Sequence, residues 1–169
     1  MTEQKNIFDK PRLIVTHGEK GGVGKTTVAR IIADYLTSRD LTFRAFDAEG
    51  DSGQLLRFHS SETSPIDMGD ASSVAPVLDY LMDGSGKRLA LVDLGARSGT
   101  DLKSWLYRGG ALEEAAGAKL GITVVYVLGG AVDSVANAEV GGATTEIACH
   151  GLVDVGVGGV SSLRQQRSG

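Results

Sequence analysis

Glu19-Lys20-Gly21-Gly22-Val23-Gly24-Lys25-Thr26-Thr27 lies between a short apolar run, Leu13-Ile14-Val15-Thr16, and a helix-patterned run from Val28 to Leu36. Strand, glycine loop and helix in that order are what a phosphate-binding loop requires. Gly21, Gly22 and Gly24 lack a Cβ, so the backbone there is free to turn several N–H groups toward one anion. A helix beginning near Lys25 adds the positive end of its dipole, about half a charge. In such a loop Lys25 reaches the outer phosphates and the Thr26 hydroxyl ligates Mg²⁺. Val23 and Thr27 complete the cradle. The bland alternative is a glycine-rich turn with no ligand, and Gly-Lys-Thr at a helix start argues against it.

The usual pattern, G-x-x-x-x-G-K-[ST], asks for glycine where this chain has Glu19. Here Lys20 precedes the glycine pair instead. The eight residues Lys20-Gly21-Gly22-Val23-Gly24-Lys25-Thr26-Thr27 form a deviant Walker A signature. In this stretch the chain resembles the ParA/MinD family of ATPases, which includes partitioning and plasmid-stability proteins. The resemblance covers roughly residues 12 to 135. It implies a P-loop NTPase fold, ATP and Mg²⁺ as ligands, slow ATP hydrolysis, and a nucleotide-dependent sandwich homodimer. It also implies that Lys20 reaches the partner subunit's phosphates, a cation supplied in trans as arginine fingers are. A centromere-binding adaptor protein or DNA would then be the partner.

The totals are those of one α/β domain: 169 residues, 24 glycines, few aromatics and a net charge of −4. That charge supplies no global basic field for nucleic acid. The single cysteine, Cys149, excludes an internal disulfide framework and agrees with a reducing cytoplasm. Met1 to Lys10 has no apolar core of a secretory leader, and the longest apolar run, Ile122 to Leu128, is far short of a membrane span. A cytoplasmic location is expected.

Along the chain, residues 1–11 read as a polar arm and Arg12 to His17 as a first strand, apolar enough to be covered on both faces. A helix is expected from Thr26 to Arg39, burying Val28, Ile31, Ile32, Tyr35 and Leu36, with Arg30 and Asp34 paired on the polar side. Thr42 to Phe46 is the second strand, running into the acidic stretch Asp47-Ala48-Glu49-Gly50-Asp51-Ser52-Gly53-Gln54. Ligands of open α/β sheets bind outside such strand ends. Three carboxylates beside a triphosphate repel it unless Mg²⁺ or a positioned water intervenes. His59 to Ser73 reads as a linker, and Ser73 as the cap of a helix from Val74 to Met82. Leu89-Ala90-Leu91-Val92-Asp93 is a strand ending in an acid, a Walker B-like pattern. Thr100 to Ala118 is helical, broken at Gly109-Gly110, with Trp105 as packing, and Gly121 to Leu128 is a further strand.

By the same resemblance Asp47 supports the Mg²⁺ shell, Asp93 faces the metal through water, and the Gly95 N–H senses the γ-phosphate. Glu49 stands where the family places its water-orienting acid, usually Asp, and Asp51 is the alternative. From Ala136 the composition breaks: residues 136–169 contain no lysine and little periodicity, apart from a weak strand pattern in Val153 to Val160. A shifted reading frame or a truncated relative is expected there, leaving an atypical, disordered segment and an incomplete C-terminal side. The fold expected is α/β, three layers, with at least four mostly parallel strands and helices on both faces. The rival functions are a small-molecule phosphotransferase or ligase of the same superfamily, against which Lys20 counts, and an inactive fragment.

Overall fold

A computed structural model describes residues 10–18, 21–83, 87–95, 102, 104–106, 120–127 and 152–155. The readings of Glu19, Lys20 and Gly109-Gly110 lie outside these residues. In chain order the elements are β1 (Arg12–His17), α1 (Lys25–Ser38), β2 (Phe43–Asp47), a 3₁₀ turn (Gly50–Ser52), α2 (Gln54–Phe58) and β3 (Thr63–Pro65). They continue with α3 (Ala71–Met82), β4 (Leu89–Asp93), β5 (Gly121–Tyr126) and β6 (Leu152–Val155).

The strands form one sheet in the order β3-β2-β4-β1-β5-β6. The first five are mutually parallel and β6 is antiparallel to β5. This is an α/β architecture with a mostly parallel sheet. β6 falls within the segment where the composition breaks, and its backbone pairs Leu152 with Val125 and Val155 with Ile122.

Alternation along the strands divides the core in two. Leu13 and Val15 of β1, Phe46 of β2, Ala90 and Val92 of β4, and Ile122 and Val124 of β5 pack with Val74, Val77 and Leu81 of α3 and with Leu102, Trp105 and Leu106. Ile14, Phe43, Ala45, Leu89, Leu91 and Val125 face the other way, onto Ala29, Ala33 and Leu36 of α1 and Leu55 of α2. Connections running toward β3 therefore use the α1 face, and those running back toward β5 use the α3 face. A single hand of crossover requires this separation. β1 and β4 are neighbours whose outgoing connections leave in opposite directions, so a switch point lies between their carboxyl ends.

α1 begins at Lys25 and bears out part of the expected stripe: Leu36 is buried and Val28 and Ile32 pack against the core, but Ile31 and Tyr35 do not. Ala29 and Ala33 are fully buried against the sheet, whereas Ile31 is 61% and Tyr35 48% exposed. Small side chains let the helix lie close to the strands, and the larger pair is rotated to the outside. Arg30 and Asp34 do not pair: Arg30 stacks on the Phe58 ring, 3.6 Å from its centroid, and Asp34 meets His59 Nε2 at 3.4 Å. The helix ends in a Schellman arrangement. Asp40, at φ 53°, donates its N–H to Thr37 and is followed by Leu41 N–H donating to Leu36, both at 3.0 Å.

The stretch read as a linker holds β3, and α2 precedes it. Both are short, with too few residues to express a period. α3 starts at Ala71, three residues before the expected Val74, and its cap is Asp70, not Ser73. Asp70 Oδ1 accepts from Ser72 N–H at 2.9 Å. Ser73 Oγ accepts instead from Asp67 N–H at 2.8 Å. Among the described residues no helix is long and apolar enough to cross a membrane.

The two faces of α1 give a direct test. Leu36→Ala, at a position 1% exposed, should destabilise by about 2–5 kcal/mol in urea unfolding. Ile31→Ala should stay within about 0.5 kcal/mol of the natural protein. Equal losses would contradict the helix's rotation.

Candidate phosphate-binding site

The glycine loop leaves the end of β1 and enters α1 at the switch point. Gly22 (φ 75°) and Gly24 (φ 100°) both adopt the left-handed backbone that favours glycine. Gly24 is the N-cap residue of α1 and contributes no side chain. The first N–H groups of the helix therefore open toward the loop rather than being closed by a capping hydroxyl or carboxylate. Gly21 and Gly22 are exposed, Val23 and Gly24 half-buried and Thr27 exposed.

Lys25 is 6% exposed, unusual for lysine. Its stem passes over Gly18. A Cβ on Gly18 would stand 2.7 Å from the Val127 carbonyl oxygen and 3.4 Å from Lys25 Cδ. Gly18 thus lets the end of β5 and the lysine stem close on the loop. Sequence reasoning passed over this glycine because it falls one place before the position the phosphate-loop pattern asks for.

Three adjacent strand ends supply the opposite charge. Thr16 of β1 is in register with Asp93 of β4, and Asp93 with Asp47 of β2. All three are buried: Thr16 and Asp47 are 0% exposed and Asp93 2%. By strand alternation they share the face that carries α1. Thr16 Oγ1 donates to Asp93 Oδ1 at 2.7 Å, and Asp93 also hydrogen-bonds the Thr26 hydroxyl at the start of α1. Thr16 was missed as well. Its signal was its place at a strand end, in register with an acid on the neighbouring strand.

Burial above all pushes the Asp93 carboxyl over its ordinary value, and the charges of Asp47 and Glu49 push the same way. The hydrogen bonds from Thr16 and Thr26 act in the opposite sense. Glu49 is exposed on the turn that follows β2 and bears on Asp93; Asp51 is exposed on the 3₁₀ turn beyond it. Gly95 is buried, and the preceding Leu94 N–H donates to the Thr16 carbonyl at 3.2 Å. Compared with protein-family models, curated proteins and solved structures, the chain gives no match.

Of the expected site residues, Gly21, Gly22, Val23, Gly24, Lys25, Thr26, Thr27, Asp47, Glu49, Asp93 and Gly95 all lie at the carboxyl ends of β1, β2 and β4 or in the segments leaving them. No set of three His, Cys, Asp or Glu among the described residues forms a metal cage. Mg²⁺ rarely uses one, because it keeps waters and binds through one or two carboxylates plus phosphate oxygens. A groove of about 980 Å³ lined by Arg44, Tyr80, Lys87 and Arg88 lies at the other end of the sheet, where β2 and β4 begin. Ligands of open parallel sheets bind at the carboxyl ends, so the cradle there is the better candidate.

The raised Asp93 carboxyl has a consequence for stability. The folded state holds that proton more tightly than the unfolded chain does. Its contribution is therefore full below 3.8 and is lost as pH rises through the folded value. Asp93→Asn should melt higher than the natural protein at pH 7 in metal-free buffer, with the gap closing as pH falls toward 3.8. A gap independent of pH would contradict the assignment.

Proposed function

We infer that the protein is a Mg²⁺-dependent, ATP-hydrolysing switch of the ParA/MinD type, built on a P-loop NTPase fold and acting in plasmid partitioning or stability. One observation carries the reading. The uncapped start of α1 presents a buried lysine and a threonine hydroxyl directly beside a buried carboxylate on the neighbouring strand. A cation near an anionic ligand relieves that carboxylate, and the helix start accommodates the anion.

The parts then divide by chemistry. Backbone N–H groups of residues 21–27 hold the phosphates, with Lys25 on the outer ones. Thr26 and Asp93 would hold Mg²⁺, Asp93 through water, with Asp47 lending charge from the next strand end. Bound there, Mg²⁺ neutralises charge on the transferred phosphoryl group. Glu49, two residues beyond the end of β2 and, unlike Asp51, acting on the charge of Asp93, orients the attacking water. The Gly95 N–H, at the end of the Asp93 strand, meets the γ-phosphate. Lys20 completes the charge balance from a second copy of the chain, so turnover by one subunit is slow. The desolvated acid, hydrogen-bonded to the threonine at a helix start that no side chain caps, favours this reading over a bare glycine turn.

MgATP at about 100 times its Kd should stabilise the natural protein by about 2.7 kcal/mol in thermal unfolding, and Lys25→Ala should abolish the shift. An unmoved melting temperature in the natural protein would overturn the reading. Glu49→Gln, which slows hydrolysis on this account, should elute at twice the mass with MgATP and as a monomer without it; the same mass in both would rule out the sandwich dimer.

A further inference from the structure

The acidic turn after β2 is held by a contact that neither nucleotide binding nor metal binding explains. Asp47 is fully buried, and its two carboxylate oxygens go to different backbone amides. Oδ1 accepts from Glu49 N–H at 3.0 Å and Oδ2 from Leu56 N–H at 3.1 Å. Leu56 lies in the first turn of α2, whose own N-cap residue, Gly53, has no side chain to satisfy it. Asp47 thus caps α2 from the preceding strand. The chain can close this way only because residue 53 is glycine: a Cβ there would fall on the Asp47 carboxylate. Gly53 is at φ −61°, so the requirement is space and not backbone freedom. The Ala48 N–H donates to the Asp93 carbonyl at 2.9 Å and fastens the same turn to β4.

We propose that Asp47, with Gly53 as its obligate partner, is a positioning residue that clamps residues 48–56 and so fixes where Glu49 stands beside the phosphate cradle. The proposal rests on the ATPase reading for its catalytic consequence but not for the clamp itself. A carboxylate is suited to the task because it accepts from two N–H groups in different directions. An asparagine keeps one acceptor and turns the other into a donor facing a donor. Charged acceptors also make the stronger bonds to amides.

The test uses the full chain with Asp47→Asn and Gly53→Ala. The second variant keeps the carboxylate and displaces it, so it stands in if the first fails to fold. Amide hydrogen exchange without nucleotide should rise at least tenfold at Glu49 and Leu56 in either variant, with Ile14 and Leu91 unchanged. In Gly53→Ala, which keeps the Asp47 charge, MgATP affinity should stay within threefold, and in both variants kcat should fall at least tenfold. Unchanged exchange at both amides overturns the clamp. Raised exchange with unaltered kcat overturns the positioning role. A loss of MgATP affinity matching that of Thr26→Ala makes Asp47 a metal ligand instead. If the natural protein shows no ATPase activity, the functional reading fails while the exchange result still decides the clamp.

Discussion

Two carboxylates, Asp47 and Asp93, are buried in register on adjacent strands, and this juxtaposition is the constraint around which the described structure is arranged. Like charges in a desolvated place are costly unless hydrogen bonds or a cation answer them. The fold answers each acid differently. Asp47 is satisfied by backbone amides of the turn it clamps. Asp93 is served by two hydroxyls, Thr16 and Thr26, and remains raised above its ordinary value. The acid without a charged or amide partner is the one that faces the open start of α1.

Topology explains why these groups meet. With order β3-β2-β4-β1-β5, the strand that feeds the glycine loop lies beside the strand that ends in Asp93, and β2 lies just beyond. The loop, the buried lysine and both acids thus converge, although Lys25, Asp47 and Asp93 are far apart in sequence. The clamp at Asp47 extends the same logic outward: it links the end of β2 to α2, and α2 packs on α1 through Phe58 and Arg30. These contacts lead outward to a surface that carries the exposed Ile31, Tyr35 and Phe58.

Much of this was legible in the residues. β4 was expected at Leu89 to Asp93 and lies there, because four apolar residues ending in an acid suit only a doubly covered strand. The glycine loop and the helix after it were legible from spacing. The rotation of α1 was not, because ranking by apolar size favours Ile31 and Tyr35, whereas close packing on a sheet selects Ala29 and Ala33. α2 and β3 escaped notice for want of length. Thr16, Gly18 and Gly53 matter through contacts with residues distant in sequence, which a pattern read along one chain does not register. The proposal of a ParA/MinD-type ATPase rests on the sequence of the loop and of the two strand-end acids.

The central claim is that a phosphate chain sits at the carboxyl ends of β1 and β4. The most direct measurement is an amide NMR titration with ATP and Mg²⁺. The account predicts that the largest shift changes fall on residues 21–27 and 93–95, with Arg44, Tyr80 and Arg88 at the far end of the sheet unmoved. Shifts concentrated on that far groove, or spread without a centre, would contradict it.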